Sequence, residues 1–328
     1  MKIKYSIQTK VVRSIIVWTI LIGLLAACGG TATTNAPVST LPAQPKVKIG
    51  YLPITHAAPL YIEASTAGYS GFELELVKFG SWPDLMDALN SGRIDGASVL
   101  IELAMKAKEQ GIALKAVALG HKDGNVVITA PDIESVQDLQ GKPFAIPHPY
   151  STHNILLYQM LKEAGMAYED VQAIQLPPAE MPVALAEGRI SGYVVAEPFG
   201  AKAVVMSKGK VLYQSDELWP NSVDCALVLR EQFIEEQRVV AEEFVHWYKE
   251  AGKLAEKNDD HVKEILMQYM NIDQAVLDVS LQWISYDELK IEEADYKILR
   301  QYMMEMGLSE QPPTYEQFVD NTLFDKVS

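Results

Sequence analysis

Ala88-Leu89-Asn90-Ser91-Gly92-Arg93-Ile94-Asp95-Gly96 reads A-L-x-x-G-R-I-x-G, and Ala184-Leu185-Ala186-Glu187-Gly188-Arg189-Ile190-Ser191-Gly192 reads A-L-x-x-G-R-I-x-G again. Each copy fits the end of a helix, a glycine stop and the start of a buried strand. The Ala and Leu fall on the helix face that packs, and the first Gly suits the left-handed position that closes a helix. Ile-x-Gly then opens an apolar run, Ala97 to Leu100 in one copy and Tyr193 to Ala196 in the other. Such corners are common in α/β proteins, so chance reuse of one local solution is the competing reading. The preferred reading is two similar α/β lobes, with the arginines of the corners as structural residues at the amino ends of the strands.

The surrounding chain supplies the other elements. Val47 to Leu52 alternates and predicts a first strand, followed by a loop at 53–59 and a short helix from Leu60. Phe72 to Phe79 predicts a second strand. Ser81 is placed to cap a helix that has Pro83 in its first turn. Strands follow near 97–100 and 114–119, with a helix between them at 101–110. Val126 to Thr129 reads as a strand leaving lobe one, and Cys225 to Leu229 as the return crossing. Lobe two carries strands at 144–146, 172–176, 193–196 and 211–214. After the return the chain turns helical, at 231–257, 261–269, 273–284 and 292–306. Strands alternating with helices predict a mainly parallel sheet in each lobe, with ligands outside the carboxyl ends of the strands.

Composition bounds the functions. The chain has 328 residues, enough for two packed domains, and a net charge of −15. An acidic surface without a basic patch excludes nucleic acid as a partner. Cys28 and Cys225 cannot make a disulfide framework. Two cysteines and six histidines scattered along the chain do not read as a structural zinc site, and neither a metal nor a cofactor is expected.

Lys2, Lys4, Lys10 and Arg13 precede an apolar run from Ser14 to Leu25, and Leu25-Ala26-Ala27 leads into Cys28. This is the pattern of a secretory signal. A Cys placed after Leu-Ala-Ala resembles a bacterial lipobox, which implies that residues 1–27 are removed and Cys28 is lipidated. The apolar run is shorter than the roughly 20 residues that span a bilayer comfortably. Loss of the signal removes basic residues only, so the remaining chain has no charge-based hold on an anionic membrane and depends on its lipid. Residues 28–45 form an uncharged tether up to Pro45. The expected organisation is signal 1–27, tether 28–45, lobe one 46–125, lobe two 126–224, and return crossing with a helical part of lobe one at 225–328.

Ile49-Gly50-Tyr51-Leu52-Pro53, Asp138-Leu139-Gln140-Gly141-Lys142, the two Gly-Arg-Ile corners and Ala196-Glu197-Pro198 resemble the substrate-binding proteins of ATP-driven (ABC) importers, in the branch for nitrate, bicarbonate, sulfonates such as taurine, and thiamine-pyrimidine precursors. Ser81-Trp82, Ser151-Thr152-His153-Asn154 and Pro177-Pro178-Ala179-Glu180-Met181 are most similar to the nitrate- and bicarbonate-binding lipoproteins. The resemblance covers about residues 46–230. It implies a two-lobed periplasmic-binding-protein-like (type II) α/β fold with two strand crossings and a helical C-terminal part on lobe one. It also implies a lipid-anchored extracytoplasmic protein that passes a small ligand to a permease and an ATPase, without catalysis.

The candidate ligand residues sit at strand ends. Ser151, Thr152 and His153 open a helix, whose free N–H groups and dipole suit an anion, although Ser and Thr are also ordinary caps. His148 is held between Pro147 and Pro149. Trp82 offers an aromatic wall, and the resemblance implies its use in binding. Thr55 and His56 lie in the first strand-end loop, Leu100 ends the third strand, Asn125 stands where lobe one hands over to lobe two, and Glu197 ends a strand before Pro198. A carboxylate facing the site, at Glu197 or less strongly at Glu102 or Glu180, argues against a purely anionic ligand. Cys225 reads as core packing. The expected ligand is nitrate-like or a sulfonate. The alternatives are a heterocyclic vitamin precursor (pyrimidine or flavin) and, in another class, an enzyme of the pyrimidine-precursor-synthase type.

Overall fold

The computed structural model describes residues 44–66 and 71–326. The expected signal, Cys28 and the tether up to residue 43 lie outside the described residues. Among the described residues twelve strands are formed: β1 (Lys46–Tyr51), β2 (Glu73–Lys78), β3 (Gly96–Leu100), β4 (Leu114–Leu119), β5 (Lys122–Asp123), β6 (Asn125–Thr129), β7 (Pro143–Ile146), β8 (Gln172–Gln175), β9 (Gly192–Ala196), β10 (Lys210–Gln214), β11 (Cys225–Arg230) and β12 (Ile284–Ser285). They build two five-stranded sheets, ordered β2-β1-β3-β11-β4 and β10-β6-β9-β7-β8, and the small pair β12-β5.

The two large sheets are built alike. In the first, β1 pairs parallel with β2 and β3, and β11 lies antiparallel to β3 and β4. In the second, β7 pairs parallel with β8 and β9, and β6 lies antiparallel to β9 and β10. Each sheet thus holds one strand of opposite direction, and that strand follows a crossing from the other lobe. The two-lobed α/β expectation holds, with mixed rather than mainly parallel sheets.

The twin corners give this symmetry its local basis. The helix α2 (Trp82–Asn90) precedes β3, and a shorter helix at Met181–Ala186 precedes β9. Gly92 and Gly188 take φ of 75° and 71°. Gly92 N–H donates to the Leu89 carbonyl and Arg93 N–H to that of Ala88. Gly188 and Arg189 repeat this with Leu185 and Ala184. These bonds satisfy carbonyls that a helix end otherwise leaves open. Gly96 and Gly192 then start strands against a tight neighbour. A Cβ on Gly96 would lie 2.7 Å from the Val228 carbonyl oxygen, and one on Gly192 would lie 2.9 Å from that of Ile128.

The other helices include α1 (Ala58–Ser65) after β1, α3 (Ile101–Glu109) after β3, α4 (Thr152–Glu163) after β7, α5, the short helix at Met181–Ala186, α6 (Phe199–Val205) after β9, α7 (Ser215–Leu218) after β10, and, beyond β11, α8 (Glu231–Glu236), α9 (Arg238–Glu256), α10 (Asp260–Met270), α11 (Gln274–Ser280) and α12 (Glu293–Glu305). The expected helix 231–257 is broken at Gln237, whose φ of −132° and ψ of 44° leave the helical region. The expected helix 273–284 stops at Ser280, and Ile284–Ser285 joins β5 instead. Helix α9 buries Ala241, Phe244, Val245, Tyr248, Ala251 and Ala255 along one face, the three-and-four spacing of an amphipathic helix against a core. The tail also fastens the loops at the ligand edge of lobe one. Tyr248 donates to the Leu119 carbonyl at 3.1 Å and Tyr286 to that of Thr55 at 2.9 Å. It reaches lobe two as well, where Lys162 of α4 pairs with Glu305 of α12 at 2.7 Å.

Candidate functional site

The strand directions bring one set of polar side chains to a single edge. The carboxyl end of β1 leads to His56, in a single 3₁₀ turn (Thr55–Ala57). The carboxyl end of β3 leads to Glu102, and that of β4 to His121. Because β11 runs the other way, its amino end meets the same edge and delivers Asp224 and Cys225. From the second lobe, β7 leads to Thr152 and His153 at the start of α4, and the antiparallel β6 brings Asn125 at its amino end. All of these residues are buried.

Asp224 is the hub. Its Oδ2 lies 3.0 Å from His56 Nδ1 and 3.5 Å from His121 Nε2, and its Oδ1 lies 3.8 Å from His153 Nδ1. Asn125 Nδ2 donates to Oδ2 at 3.1 Å. Cys225 Sγ sits 3.4 Å from His56 Nδ1. The rings of His56 and His121 stack with centroids 3.4 Å apart. The Thr152 hydroxyl crosses between lobes, 2.5 Å from Glu102 Oε1 and 2.6 Å from the Val223 carbonyl oxygen.

Burial and charge set the protonation. Burial, and next the neighbouring His56, presses His121 down to about 4, and burial lowers His153 too. The Asp224 carboxyl is held well below its usual range: burial works to raise it, and His153, His121 and His56 outweigh that. Burial, then the Asp224 charge, raises Glu102. The cluster contains acids, imidazoles and a thiol, and no Lys or Arg among the described residues.

Of the residues expected from the sequence, His56, Asn125, Thr152 and His153 join this cluster, and Leu100 adjoins it through its β-pairing with Cys225. The others lie outside this set of contacts. Thr55 bonds lobe to lobe, its N–H and hydroxyl both donating to the Glu197 carbonyl, at 2.9 and 3.1 Å. The Glu197 carboxylate accepts the Ala201 N–H at 2.8 Å at the head of α6, and burial pushes it up to about 7. Ser151 caps α4, accepting the Asn154 N–H at 3.1 Å and donating to the His148 carbonyl at 2.6 Å. His148 turns its Nδ1 to the Tyr150 N–H at 3.0 Å. Trp82 is buried at the start of α2, and its indole N–H has no partner among the described residues. Arg93 and Arg189 are exposed at the opposite edge, Arg189 paired with Glu187 at 2.7 Å.

His121 and Asp224 escaped the sequence reading, Cys225 entered it only as core packing although its Sγ faces His56, and Glu102 entered it only as an argument against an anion. The histidines scattered in sequence are gathered in space: three of the six meet around one carboxylate. The missed signal was direction. A return strand in a parallel sheet runs backwards, so its amino end, Asp224-Cys225, belongs to the ligand edge.

A separate cavity of about 330 Å³ lies between the lobes. Leu52, Pro53, Lys78, Phe79 and Gly80 line it from one side, and Pro178, Ala179 and Phe199 from the other. No helix among the described residues is long and apolar enough to cross a membrane.

Comparison with known proteins places these features. The model of the NMT1-like family matches residues 41–269. The crystal structure of a ligand-binding component of an ABC-type import system from Staphylococcus aureus, with zinc bound, superposes with a TM-score of 0.82. It is 42% identical and covers 87% of this chain and 99% of that one. The nitrate/nitrite binding protein NrtA of Nostoc sp. is 26% identical over 72% of this chain and 61% of its own length. The nitrate import ATP-binding protein NrtC of Synechocystis sp. is 27% identical over 57% of this chain and 31% of its own length. The chain therefore spans less than two thirds of these two curated relatives.

Proposed function

The chain belongs to the NMT1-like family, and on that premise we propose that it is the extracytoplasmic solute-binding component of an ABC-type import system, carrying a small ligand between its lobes to a permease driven by an ATPase. The observation that carries this reading is the buried polar cluster at the ligand edge, drawn from both lobes. Buried polar groups cost stability unless partnered. Yet His153 Nδ1 and Nε2, His121 Nε2, Glu102 Oε2 and Asp224 Oδ1 are buried without a hydrogen-bond partner among the described residues. A fold keeps such groups where something else completes them. Two crossings join the lobes, and a ligand touching both stabilises the closed arrangement.

The relatives support the role: the Staphylococcus aureus protein is an import component, and the Nostoc protein binds nitrate or nitrite. Two ligand readings follow from them. The nitrate-like or sulfonate reading has the cavity beside Lys78, the one cation lining it. The zinc of the Staphylococcus aureus structure favours a metal cation at the histidine cluster. The enzyme alternative finds little support, because burial raises the Cys225 thiol well above its usual value, which leaves little thiolate for nucleophilic attack without a metal ion to displace the proton. The lipobox-like Cys28 supports a lipid anchor at the outer face of the cell membrane.

A thermal-shift screen of the purified chain, with calorimetry on each hit, tests the role. It covers nitrate, a sulfonate, a pyrimidine and divalent metal ions. One class is expected to bind one-to-one and stabilise the chain by about 2.7 kcal/mol at a hundredfold excess over its Kd. Turnover of a pyrimidine precursor, or no binding in any class, would refute the proposal.

A further inference from the structure

The geometry points to a binding site for one divalent transition-metal ion of the zinc class, formed by His56, His121, Asp224 and Cys225 and closed by His153 from the second lobe. This rests on the solute-binding reading and names the class of solute.

The first observation is the hydrogen bonding behind the rings. His121 Nδ1 donates to the Asp123 carbonyl at 2.6 Å, and His56 Nε2 faces the Gly124 carbonyl at 3.3 Å. A carbonyl accepts only, so each of these nitrogens carries its hydrogen. In a neutral ring that leaves His121 Nε2 and His56 Nδ1 to offer lone pairs, and both point at Asp224 Oδ2. Acceptors facing an acceptor repel unless a cation stands among them. Imidazoles that donate backward to carbonyls while their other nitrogen faces inward have the arrangement that orients metal ligands.

Spacing is the second observation. Donors about 2.0–2.3 Å from a tetrahedral zinc ion lie roughly 3.3–3.8 Å from one another. The pairs here are 3.0, 3.4 and 3.5 Å within lobe one and 3.8 Å to His153. One donor atom from each of His56, His121, Asp224 and Cys225 falls within 4.8 Å of all the others. Chemistry is the third. Imidazole nitrogen, carboxylate oxygen and a thiol suit zinc and its neighbours rather than magnesium or calcium, which take oxygen. An anion finds no Lys or Arg here and meets two carboxyl groups. Asn125, donating to Asp224, orients the carboxylate from behind.

The test uses the full chain, stripped with a chelator and titrated with zinc against a chromophoric competitor, with cobalt as a spectroscopic stand-in. One ion per chain is expected, with the strong visible absorption of tetrahedral cobalt. Asn125→Ala is expected to weaken binding by roughly 10–100-fold, and Asp224→Asn and His121→Gln by more, each with an unchanged far-ultraviolet circular dichroism spectrum. His261→Ala, on the exposed face of α10, should bind as the parent does. Cys225→Ser is expected to abolish the near-ultraviolet thiolate-to-cobalt band. Zinc affinity unchanged in both Asp224→Asn and His121→Gln overturns the assignment. If nitrate or a sulfonate binds the stripped chain and zinc does not, the metal class is wrong while the solute-binding role stands. If neither binds, both fail.

Discussion

At the scale of single residues, the buried acids divide by what surrounds them. Glu197 sits at the head of α6, accepting the Ala201 N–H, and burial pushes its carboxyl up to about 7 from 4.5. Between those values the folded chain holds a proton that the unfolded chain has released. Its effect on stability is therefore most favourable below pH 4.5 and is lost as pH rises through 7, at about 1.4 kcal/mol per pH unit. Glu197→Gln cannot ionise, so the fall in the urea unfolding midpoint between pH 5 and pH 8 should be smaller in the variant than in the parent. An equal fall in both would show that Glu197 does not set this slope. Ser151 poses a different question, because a cap and a ligand contact predict different losses. As the cap of α4, Ser151→Ala should cost about 1 kcal/mol in urea melts and leave the Kd of any cleft ligand within about twofold, since a twofold change is only about 0.4 kcal/mol. A loss of affinity without a loss of stability would restore the ligand role.

At the scale of elements, the twin corner is the unit to perturb. Gly92 and Gly188 hold the same left-handed backbone, but their surroundings differ. Nothing lies within 4 Å of a Cβ on Gly188, whereas one on Gly92 would lie 1.7 Å from Arg230 Nη1. Gly188→Ala should therefore cost only the backbone strain, roughly 1–2 kcal/mol. Gly92→Ala should cost more, by whatever moving the guanidinium requires, and chemical denaturation of the pair measures the difference. The corners also explain how much of the molecule was legible. Helix, left-handed glycine and buried strand are local devices that one chain segment encodes, and two copies gave two lobes. The carboxyl-end rule found His56, Thr152 and His153, because parallel strands leave their signature in order along the chain. The same rule reaches His121, beyond the strand expected at 114–119, although that strand end was not followed; it cannot reach Asp224-Cys225, which depend on the direction of the return strand. The tail showed the same limit. Its helices follow from apolar spacing, but the pairing of Ile284–Ser285 with Lys122–Asp123 and the bonds from Tyr248 and Tyr286 to the loops at the site are tertiary. No periodicity records that the tail fastens the loops carrying His56 and His121.

For the whole molecule, the cluster lies on the hinge itself. His121 and Asn125 flank the first crossing, between β4 and β6, and Asp224 and Cys225 end the second, between β10 and β11. On the proposed role, ligand at this place contacts the segments that bend when the lobes part. Besides His153, the Thr152 hydroxyl reaches directly into the cluster from α4, against Glu102 Oε1 and the Val223 carbonyl. Thr152→Val keeps the shape and removes the hydroxyl. Closure then leaves two buried oxygens without this partner, at a cost of about 1–3 kcal/mol, while the open form hydrates them. Since 1.4 kcal/mol is a factor of ten, the ratio of open to closed molecules should rise roughly tenfold. Small-angle X-ray scattering of the stripped chain should show a larger radius of gyration for the variant, and saturating ligand should bring it back toward the parent value. If the radius is unchanged and the Kd for that ligand is also unchanged, Thr152 does not latch the lobes, and closure rests on the ligand and on other contacts such as Thr55–Glu197 and Lys162–Glu305.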